Sequence, residues 1–234
     1  MRPVAVVQHE PSVPPGVVAG VLREASVEHF VVEAWRDPVW PDARDLGALV
    51  VLGGTMNVDQ LDDYPFLESS RDLMRGAIEG GTPVMGVCLG SQMMARVLGG
   101  DVYRAEPRNA FFSPVRVADD PVVRPFAGVD VLQFHEDTFS LPSGAVELAR
   151  SERSGLLQAF RYGATAYAVQ FHFEVDAPIV SGWCRNVGDR ALREEWGTSE
   201  EDLLAQSARF LPSQQRAGAE LFGRFLELAR ETAG

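Results

Sequence analysis

Cysteine is scarce in this chain of 234 residues, which contains only Cys88 and Cys184. A secreted disulfide scaffold needs more paired cysteines, so the low count excludes that class and predicts a reducing, cytoplasmic location. Histidine is also rare, and the four histidines share no spacing with the two cysteines that is typical of a metal site. We therefore expect no metal ion and no cofactor.

Long hydrophobic runs and an excess of positive charge are also missing. The first ten residues contain no stretch long enough for a signal peptide, and no segment approaches the roughly 20 apolar residues of a membrane span. The 33 acidic and 21 basic residues give a net charge of −12. Nucleic acids and anionic membranes attract basic proteins, so neither is expected as a partner. With 46% hydrophobic residues, the chain can form one domain over residues 1–234.

The first hundred residues alternate between strand patterns and helical patterns. This alternation predicts an α/β three-layer sandwich, with a mostly parallel central sheet covered by helices on both faces. The predicted strands are Val4–Gln8, His29–Ala34, Ala48–Leu52 and Thr82–Val87, and the predicted helices are Val17–Ala25, Leu67–Glu79 and Met93–Leu98. Ligands bind beyond the carboxyl ends of such strands, where Gly53, Gly54 and Cys88 are found.

The second half of the chain has a different pattern. Six short strands are predicted there as an antiparallel or mixed extension of the sheet: Asp101–Arg104, Ser113–Val117, Val131–Phe134, Val146–Arg150, Leu157–Arg161 and Ala166–Gln170. Residues 177–234 are predicted to form a C-terminal helical elaboration, with a helix start at Thr198–Glu201. Leucines and phenylalanines at helical spacing in this part predict a packing face.

The most specific motif runs from Gly86 to Gln92 and reads Gly-Val-Cys-Leu-Gly-Ser-Gln. A predicted strand ends at Cys88, a helix follows, and Gly86 and Gly90 flank the cysteine. Such an elbow exposes a nucleophile at the top of a sheet, and its tight turn leaves no room for flanking side chains. The start of the helix favours a thiolate. We therefore predict that Cys88 is a nucleophile and that Cys184, which lacks this context, is a structural thiol.

A base for this thiol is predicted in residues 170–174, which read Gln-Phe-His-Phe-Glu. His172 can exchange a proton with the nucleophile and the leaving amine, and Glu174 can hold the orientation of the imidazole. His135 is the rival base, because it also follows a strand and adjoins carboxylates. His9 is expected at the edge of the cleft, and His29 is expected to face solvent.

Gly53 and Gly54 end the strongest predicted strand. Acyl transfer through a thiol builds an oxyanion that needs backbone N–H donors, and glycines let a substrate approach the main chain closely. An ordinary turn at the end of a strand has the same pattern, so that interpretation stays open. The N–H of Leu89, one residue past the nucleophile, is the natural second donor in an elbow.

In chain order, Gly53-Gly54, Gly-x-Cys88-x-Gly-x-Gln and His172-x-Glu174 resemble the class I (triad) glutamine amidotransferases, and the likeness extends over roughly the whole chain. Further segments resemble the stand-alone GMP synthase-like group of that family. The resemblance implies a flavodoxin-like fold. It also implies hydrolysis of the side-chain amide of glutamine to glutamate and ammonia through a γ-glutamyl thioester, with Cys88 as nucleophile, His172 as base and Glu174 as the orienting group.

The resemblance also implies binding roles. They are oxyanion donors at Gly54 and Leu89, and substrate contacts at Gly53, Gln92, Phe111 and Phe112. The chain departs from the stand-alone group at two segments that border the substrate cleft in relatives: Ala110-Phe111-Phe112 stands where Gly-Trp is usual, and Phe134-His135-Glu136-Asp137 where Trp-His-Gly-Asp is usual. The substrate is therefore less closely defined than the triad.

Three uses of this chemistry stay open. The first is hydrolysis of glutamine itself. The second is hydrolysis of a γ-glutamylated amine or peptide. The third is a weakly active subunit that delivers ammonia only in complex with a separate synthetase, since no phosphate-cradling loop or acceptor domain is recognisable in the 234 residues.

Overall fold

The computed structural model describes residues 1–232 of the chain, apart from the side chain of Pro107. The strands are β1 (Val4–Gln8), β2 (His29–Glu33), β3 (Ala48–Val51), β4 (Val84–Val87), β5 (Val102–Val117), β6 (Asp130–Phe139), β7 (Ala145–Ser151), β8 (Leu157–Tyr162) and β9 (Ala166–Val169). They form a nine-stranded sheet in the order β2-β1-β3-β4-β9-β8-β7-β5-β6. Strands β2, β1, β3, β4 and β9 pair in parallel, and each remaining pairing is antiparallel.

Helices cover the sheet on both faces. They are α1 (Gly16–Glu24), α2 (Phe66–Glu79), α3 (Leu89–Val97), α4 (Ala177–Val187), α5 (Asp189–Glu195) and α6 (Glu200–Thr232). Apolar residues of α2 and α3 pack in one core, and those of α1, α4 and α6 pack in a second core on the other face. Strands β1, β3 and β4 are buried throughout because helices lie on both sides of them. The prediction of an α/β fold with a mostly parallel sheet, an antiparallel extension and a helical C-terminal part is confirmed.

The prediction of six short strands in the second half was wrong in number. Asp101–Arg104 and Ser113–Val117 belong to one strand, β5, whose pairing with β6 shifts register between Arg104 and Asn109. The irregular stretch contains Pro107, which has no backbone N–H to donate to a sheet ladder. Strand β5 continues past it because Ala110 to Pro114 resume antiparallel pairing with β6.

The C-terminal helix begins where the sequence indicated. Ser199 Oγ accepts a hydrogen bond from the backbone N–H of Asp202 at 3.0 Å and donates to the Asp202 carboxylate at 2.6 Å. Helix α6 then continues through Pro212, along one core of the domain. None of the helices in residues 1–232 is both long and apolar enough to cross a membrane. The assignment of 1–234 to one domain, with 177–234 as its helical elaboration, stays a prediction, and the last two residues of that range lie outside the described residues.

Candidate active site

Three neighbouring strand ends bring the predicted site residues together. Strands β3, β4 and β9 are adjacent in the sheet, and their carboxyl ends lead into Gly53, Cys88 and His172. A Cβ atom on Gly53 would lie 3.3 Å from Cε1 of His172 and 3.4 Å from Cβ of Cys88. These three residues therefore lie together beyond the carboxyl ends of the strands, which is where parallel sheets bind their ligands.

The turn around Cys88 is strained and tightly packed. Cys88 has a φ of +51° and a ψ of −108°, a conformation that non-glycine residues rarely adopt. A Cβ atom on Gly86 would lie 2.4 Å from the carbonyl oxygen of Gly90, and one on Gly90 would lie 2.0 Å from that of Val51. Both glycines are therefore required by close backbone approach, which is the geometry of a nucleophile elbow.

His172 is held between a carboxylate and the cysteine. Its Nδ1 lies 2.7 Å from Oε1 of Glu174, whose side chain is fully buried, and the ring and the side chain of Cys88 both adjoin Gly53. Burial alone would lower the pKa of His172. The charges of Glu174 and Cys88 and the hydrogen bonds to both outweigh burial and raise the pKa of His172 well above 6.5. The arrangement therefore favours an imidazolium next to the sulfur.

A cavity of about 410 Å³ opens above these groups and lies within the range of small-molecule sites. Cys88, Gln92 and His172 line it. Gln92 donates from Nε2 to the carbonyl of Asp137 at 3.1 Å and to Oε1 of Gln170 at 3.2 Å. Since both N–H groups have these acceptors, Oε1 is the atom that Gln92 can offer to a ligand.

The two glycines after β3 lie beside the start of α3. Gly54 lines the cavity, and a Cβ atom on it would lie 2.9 Å from Cδ2 of Leu89. The first N–H groups of a helix have no intrahelical acceptor, which leaves the N–H of Leu89 suited to an anion. His9 is fully buried rather than at the edge of the cleft, and its Nδ1 lies 3.3 Å from the carbonyl of Gly53. It therefore supports the turn and does not line the cavity.

His135 lines the cavity but lacks the partners of a base. Its Nδ1 lies 2.9 Å from the backbone carbonyl of Asp137, so this nitrogen carries the proton. Burial is the main cause that lowers the pKa of His135 to about 3; the hydrogen bond to Asp137 raises this pKa and the nearby charge of His172 lowers it. A neutral imidazole without a carboxylate partner makes His135 the weaker candidate. His29 is half-buried, so the expectation that it faces solvent was only partly correct.

Phe111 and Phe112 are not among the residues that line the cavity, so the structure does not bring them together with the other site residues, and their role as substrate contacts stays a prediction. The Arg153 guanidinium lies 4.1 Å from the centroid of the Phe111 ring, and Phe112 stacks on Phe210 of α6. The register of β5 against β6 is the reason. Phe111 pairs with Gln133, whereas Arg104, seven residues earlier, pairs with Asp137 at the cavity.

Several site residues carried no signal in the sequence. Arg104 and Asn57 line the cavity, with Asn57 Nδ2 donating to the Asp137 carboxylate at 2.7 Å. Gln214 of α6 reaches the backbone of His172 from a helix that the sequence indicated only as a packing element. Isolated polar residues have no periodicity that marks them as functional. Among residues 1–232, no group of three or more histidine, cysteine, aspartate or glutamate side chains is placed to hold a metal ion.

Two curated proteins are similar in sequence to this chain. The chain is 30% identical over 167 residues to GMP synthase [glutamine-hydrolyzing] of Natranaerobius thermophilus, covering 68% of this chain and 31% of that protein. It is 33% identical over 167 residues to gamma-glutamyl-L-1-hydroxyisopropylamide hydrolase of a Pseudomonas species, covering 62% of this chain and 52% of that protein. The chain thus spans about a third and about half of the length of these curated relatives.

A solved structure has the same fold along nearly the whole chain. A glutamine amidotransferase from Thermotoga maritima superposes with a TM-score of 0.87 at 28% identity, covering 97% of this chain and 98% of that one. The family model described as glutamine amidotransferase class-I matches residues 19–178, which include the cysteine elbow and the His-x-Glu segment. This chain belongs to the class-I glutamine amidotransferase family.

Proposed function

We propose that the chain hydrolyses the amide bond of a γ-glutamyl compound, with Cys88 as nucleophile, His172 as base and Glu174 as its orienting group. The observation that carries the proposal is the position of the His172 ring, which is bonded to Glu174 through Nδ1 and lies with Cys88 beside Gly53 and in the lining of one cavity. The raised pKa of His172 keeps the imidazolium form next to Cys88, so a proton is available for the leaving nitrogen. Glutamine is the simplest substrate of this kind.

The reaction proceeds in two halves. The Cys88 thiolate attacks the amide carbon, and the carbonyl oxygen becomes an oxyanion that accepts hydrogen bonds from the N–H groups of Gly54 and Leu89. The carbon–nitrogen bond then breaks, His172 protonates the leaving nitrogen, and a γ-glutamyl thioester remains on Cys88. Water attacks the thioester and gives a proton to His172. The carbon–sulfur bond breaks, and glutamate and the thiolate are released.

Polar groups in the cavity support a γ-glutamyl substrate, which carries an ammonium and a carboxylate at its far end. Gln92 offers an acceptor oxygen, and the Asp137 carboxylate offers a second acceptor for the ammonium. Arg104 lines the cavity as a cation for the carboxylate, and Gly53 adjoins the side chains of Cys88 and His172. Relatives named for hydrolysing glutamine and for hydrolysing a γ-glutamyl amide support the same class of substrate.

Release of glutamate from glutamine and from a γ-glutamyl amide tests this proposal. The purified chain is compared with Cys88→Ala and with the matched variant Cys184→Ala, which removes the other buried thiol. We expect Cys88→Ala to abolish release with both substrates and Cys184→Ala to retain it. Hydrolysis that survives in Cys88→Ala, or is absent from the wild-type chain under all conditions, contradicts the proposal.

The length of the GMP synthase relatives favours a second candidate, a subunit that passes ammonia to a synthetase partner. This chain covers only 31% of the Natranaerobius thermophilus protein, so most of that GMP synthase lies outside the matched part. In this case the isolated chain forms the thioester slowly, and hydrolysis rises at least tenfold when a cognate synthetase is added. Full activity without any added protein contradicts this second candidate.

A further inference from the structure

Three aromatic side chains form one continuous side of the cavity. Phe134 lies on β6, Trp183 lies on α4, and Trp196 directly follows α5; all three line the cavity. The ring of Phe134 packs edge to face on both indoles, with centroid distances of 5.8 Å to Trp183 and 4.8 Å to Trp196. The three rings make a single apolar surface, which we call the aromatic wall.

The aromatic wall begins at the proposed base. Trp183 meets the ring of His172 edge to face at a centroid distance of 4.6 Å, and its indole N–H donates to the carbonyl of Ser12 at 2.7 Å. Because Glu174 occupies Nδ1 of His172, Nε2 is the nitrogen directed at Cys88 and at the leaving group. Any substituent on the leaving nitrogen therefore starts next to Trp183.

The charged half of a γ-glutamyl substrate does not need the aromatic wall. A separate polar cluster lines the same cavity around Asp137, whose carboxylate accepts from Asn57 at 2.7 Å and lies 3.6 Å from Nε of Arg104. This cluster supplies the ionic and hydrogen-bonding groups that an amino acid end requires. The wall is therefore left to contact the other side of the scissile bond.

We infer that the aromatic wall is a subsite for the amine half of the substrate, and that the preferred substrates are γ-glutamyl amides of apolar alkyl- or arylamines. The inference rests on the proposed transfer of the γ-glutamyl group to Cys88. Glutamine releases ammonia, which has no carbon atom to cover the rings, whereas an apolar substituent removes their surface from water. An aryl group also gains edge-to-face contacts with the indoles.

The charge around the wall favours a neutral substituent over a cationic one. The guanidinium of Arg108 lies 5.5 Å from the centroid of the Trp196 ring and already occupies one face of that indole. Arg108 is itself paired with Glu136 and Glu195, so these carboxylates already have a cation. A substrate ammonium would compete with Arg108 for the same ring and the same carboxylates, whereas an alkyl or aryl group would not.

The test compares kcat/KM for glutamine, γ-glutamyl isopropylamide, γ-glutamyl benzylamide and γ-glutamylputrescine. We expect the two apolar amides to exceed glutamine by about 10- to 100-fold, since a few buried carbon atoms are worth that much in an apolar pocket. The putrescine amide carries an additional ammonium and is expected to fall below the benzylamide.

Two variants test whether the preference for apolar amides depends on the aromatic wall. Trp196→Ala shortens the wall at its far end from His172 and is expected to lower the ratio of benzylamide to glutamine hydrolysis about tenfold. The matched control Trp40→Ala removes an indole that packs against the other core and does not line the cavity, so this ratio stays unchanged.

Three results would each overturn the subsite. They are equal kcat/KM for glutamine and the apolar amides, a higher kcat/KM for the putrescine amide than for the benzylamide, and an unchanged ratio of benzylamide to glutamine hydrolysis in Trp196→Ala. All three leave the proposed function intact, because glutamate is still released through Cys88. A wild-type chain that hydrolyses none of the four compounds overturns both.

Discussion

Gln214 of helix α6 donates from Nε2 to the backbone carbonyl of His172 at 2.9 Å, across 42 residues of sequence. The Oε1 of the same side chain accepts from the backbone N–H of Leu132 on β6 at 2.7 Å, and the N–H of His172 donates to the carbonyl of Leu132 at 2.9 Å. One fully buried amide therefore joins the C-terminal helix, the sheet and the segment that carries the proposed base.

This contact predicts that Gln214→Leu weakens both the fold and the reaction. The change leaves two buried backbone groups unpaired, at about 1–3 kcal/mol each in the free energy of unfolding. Displacement of His172 is expected to lower kcat about 10- to 100-fold, with KM affected less. The measurements are urea unfolding and steady-state hydrolysis.

Gln215→Leu is the matched control, because Gln215 is half-buried and its Nε2 makes only a 3.4 Å contact with the carbonyl of Val175. It is expected to change neither kcat nor stability appreciably. If Gln214→Leu loses stability but keeps the wild-type kcat per folded molecule, Gln214 supports the fold alone.

The two histidines that line the cavity are expected to differ in importance. His172→Ala removes the group that bonds both Glu174 and Cys88, so kcat/KM should fall by about 100- to 10,000-fold. His135→Ala removes a neutral ring bonded to a backbone carbonyl, and the loss should stay within about tenfold. Steady-state hydrolysis by folded variants measures both values, and equal losses mean that the base is wrongly assigned.

The elbow predicts opposite effects for two glycine-to-alanine changes. Gly90→Ala places a methyl group 2.0 Å from the carbonyl oxygen of Val51, so the turn must move and activity should fall at least 100-fold. Gly223→Ala on α6 meets no atom within 4 Å and should stabilise the protein by about 0.5–1 kcal/mol. Thermal unfolding and hydrolysis distinguish the two. Wild-type activity in Gly90→Ala would contradict the packing of the elbow.

Two buried histidines predict sensitivity to acid. Burial is the main cause that lowers the pKa of His9 to about 4 and that of His135 to about 3. Below about pH 6.5 both imidazoles are therefore protonated in the unfolded chain while they stay neutral in the folded chain. Stability is therefore present above pH 6.5 and falls as the pH is lowered toward 4, by about 1.4 kcal/mol per pH unit for each such proton. His172 adds no slope in this window, because its raised pKa keeps it protonated in the folded chain and it is also protonated in the unfolded chain below about pH 6.5.

Urea unfolding between pH 7 and pH 4.5 measures this slope. His135→Asn removes one of the two groups, and its curve should be shallower than that of the wild type by about 1.4 kcal/mol per pH unit. Parallel curves would show that His135 is not kept neutral by burial.

The elements around Cys88 were predictable because local patterns determine them. Gly86 and Gly90 flank the cysteine at a fixed spacing; Gly86 meets the backbone of Gly90 within the turn, and Gly90 meets the backbone of Val51 on the adjacent strand. Ala48–Val51 is a continuous apolar run, which is typical of a buried strand. The proximity of His172 and Glu174 was predictable for the same reason, since their spacing in the sequence places both at one strand end.

The walls of the cavity were not predictable from local patterns. Phe111 was placed at the cleft, yet the register shift in β5 brings Arg104 there instead. Trp196 and Gln214 come from helices whose position depends on packing against the whole sheet. Long-range packing and strand register leave no periodic mark in the sequence, so these contacts required the structure.

Covalent trapping tests whether Cys88 is the nucleophile. The wild-type chain is incubated with a glutamine-like diazoketone, and the modified residue is located by intact-mass measurement and peptide mapping. The account predicts one adduct per chain at Cys88 and none in Cys88→Ala, because Cys184 is buried and burial raises the pKa of its thiol to about 11. An adduct at Cys184, or modification of Cys88→Ala at the wild-type rate, would contradict it.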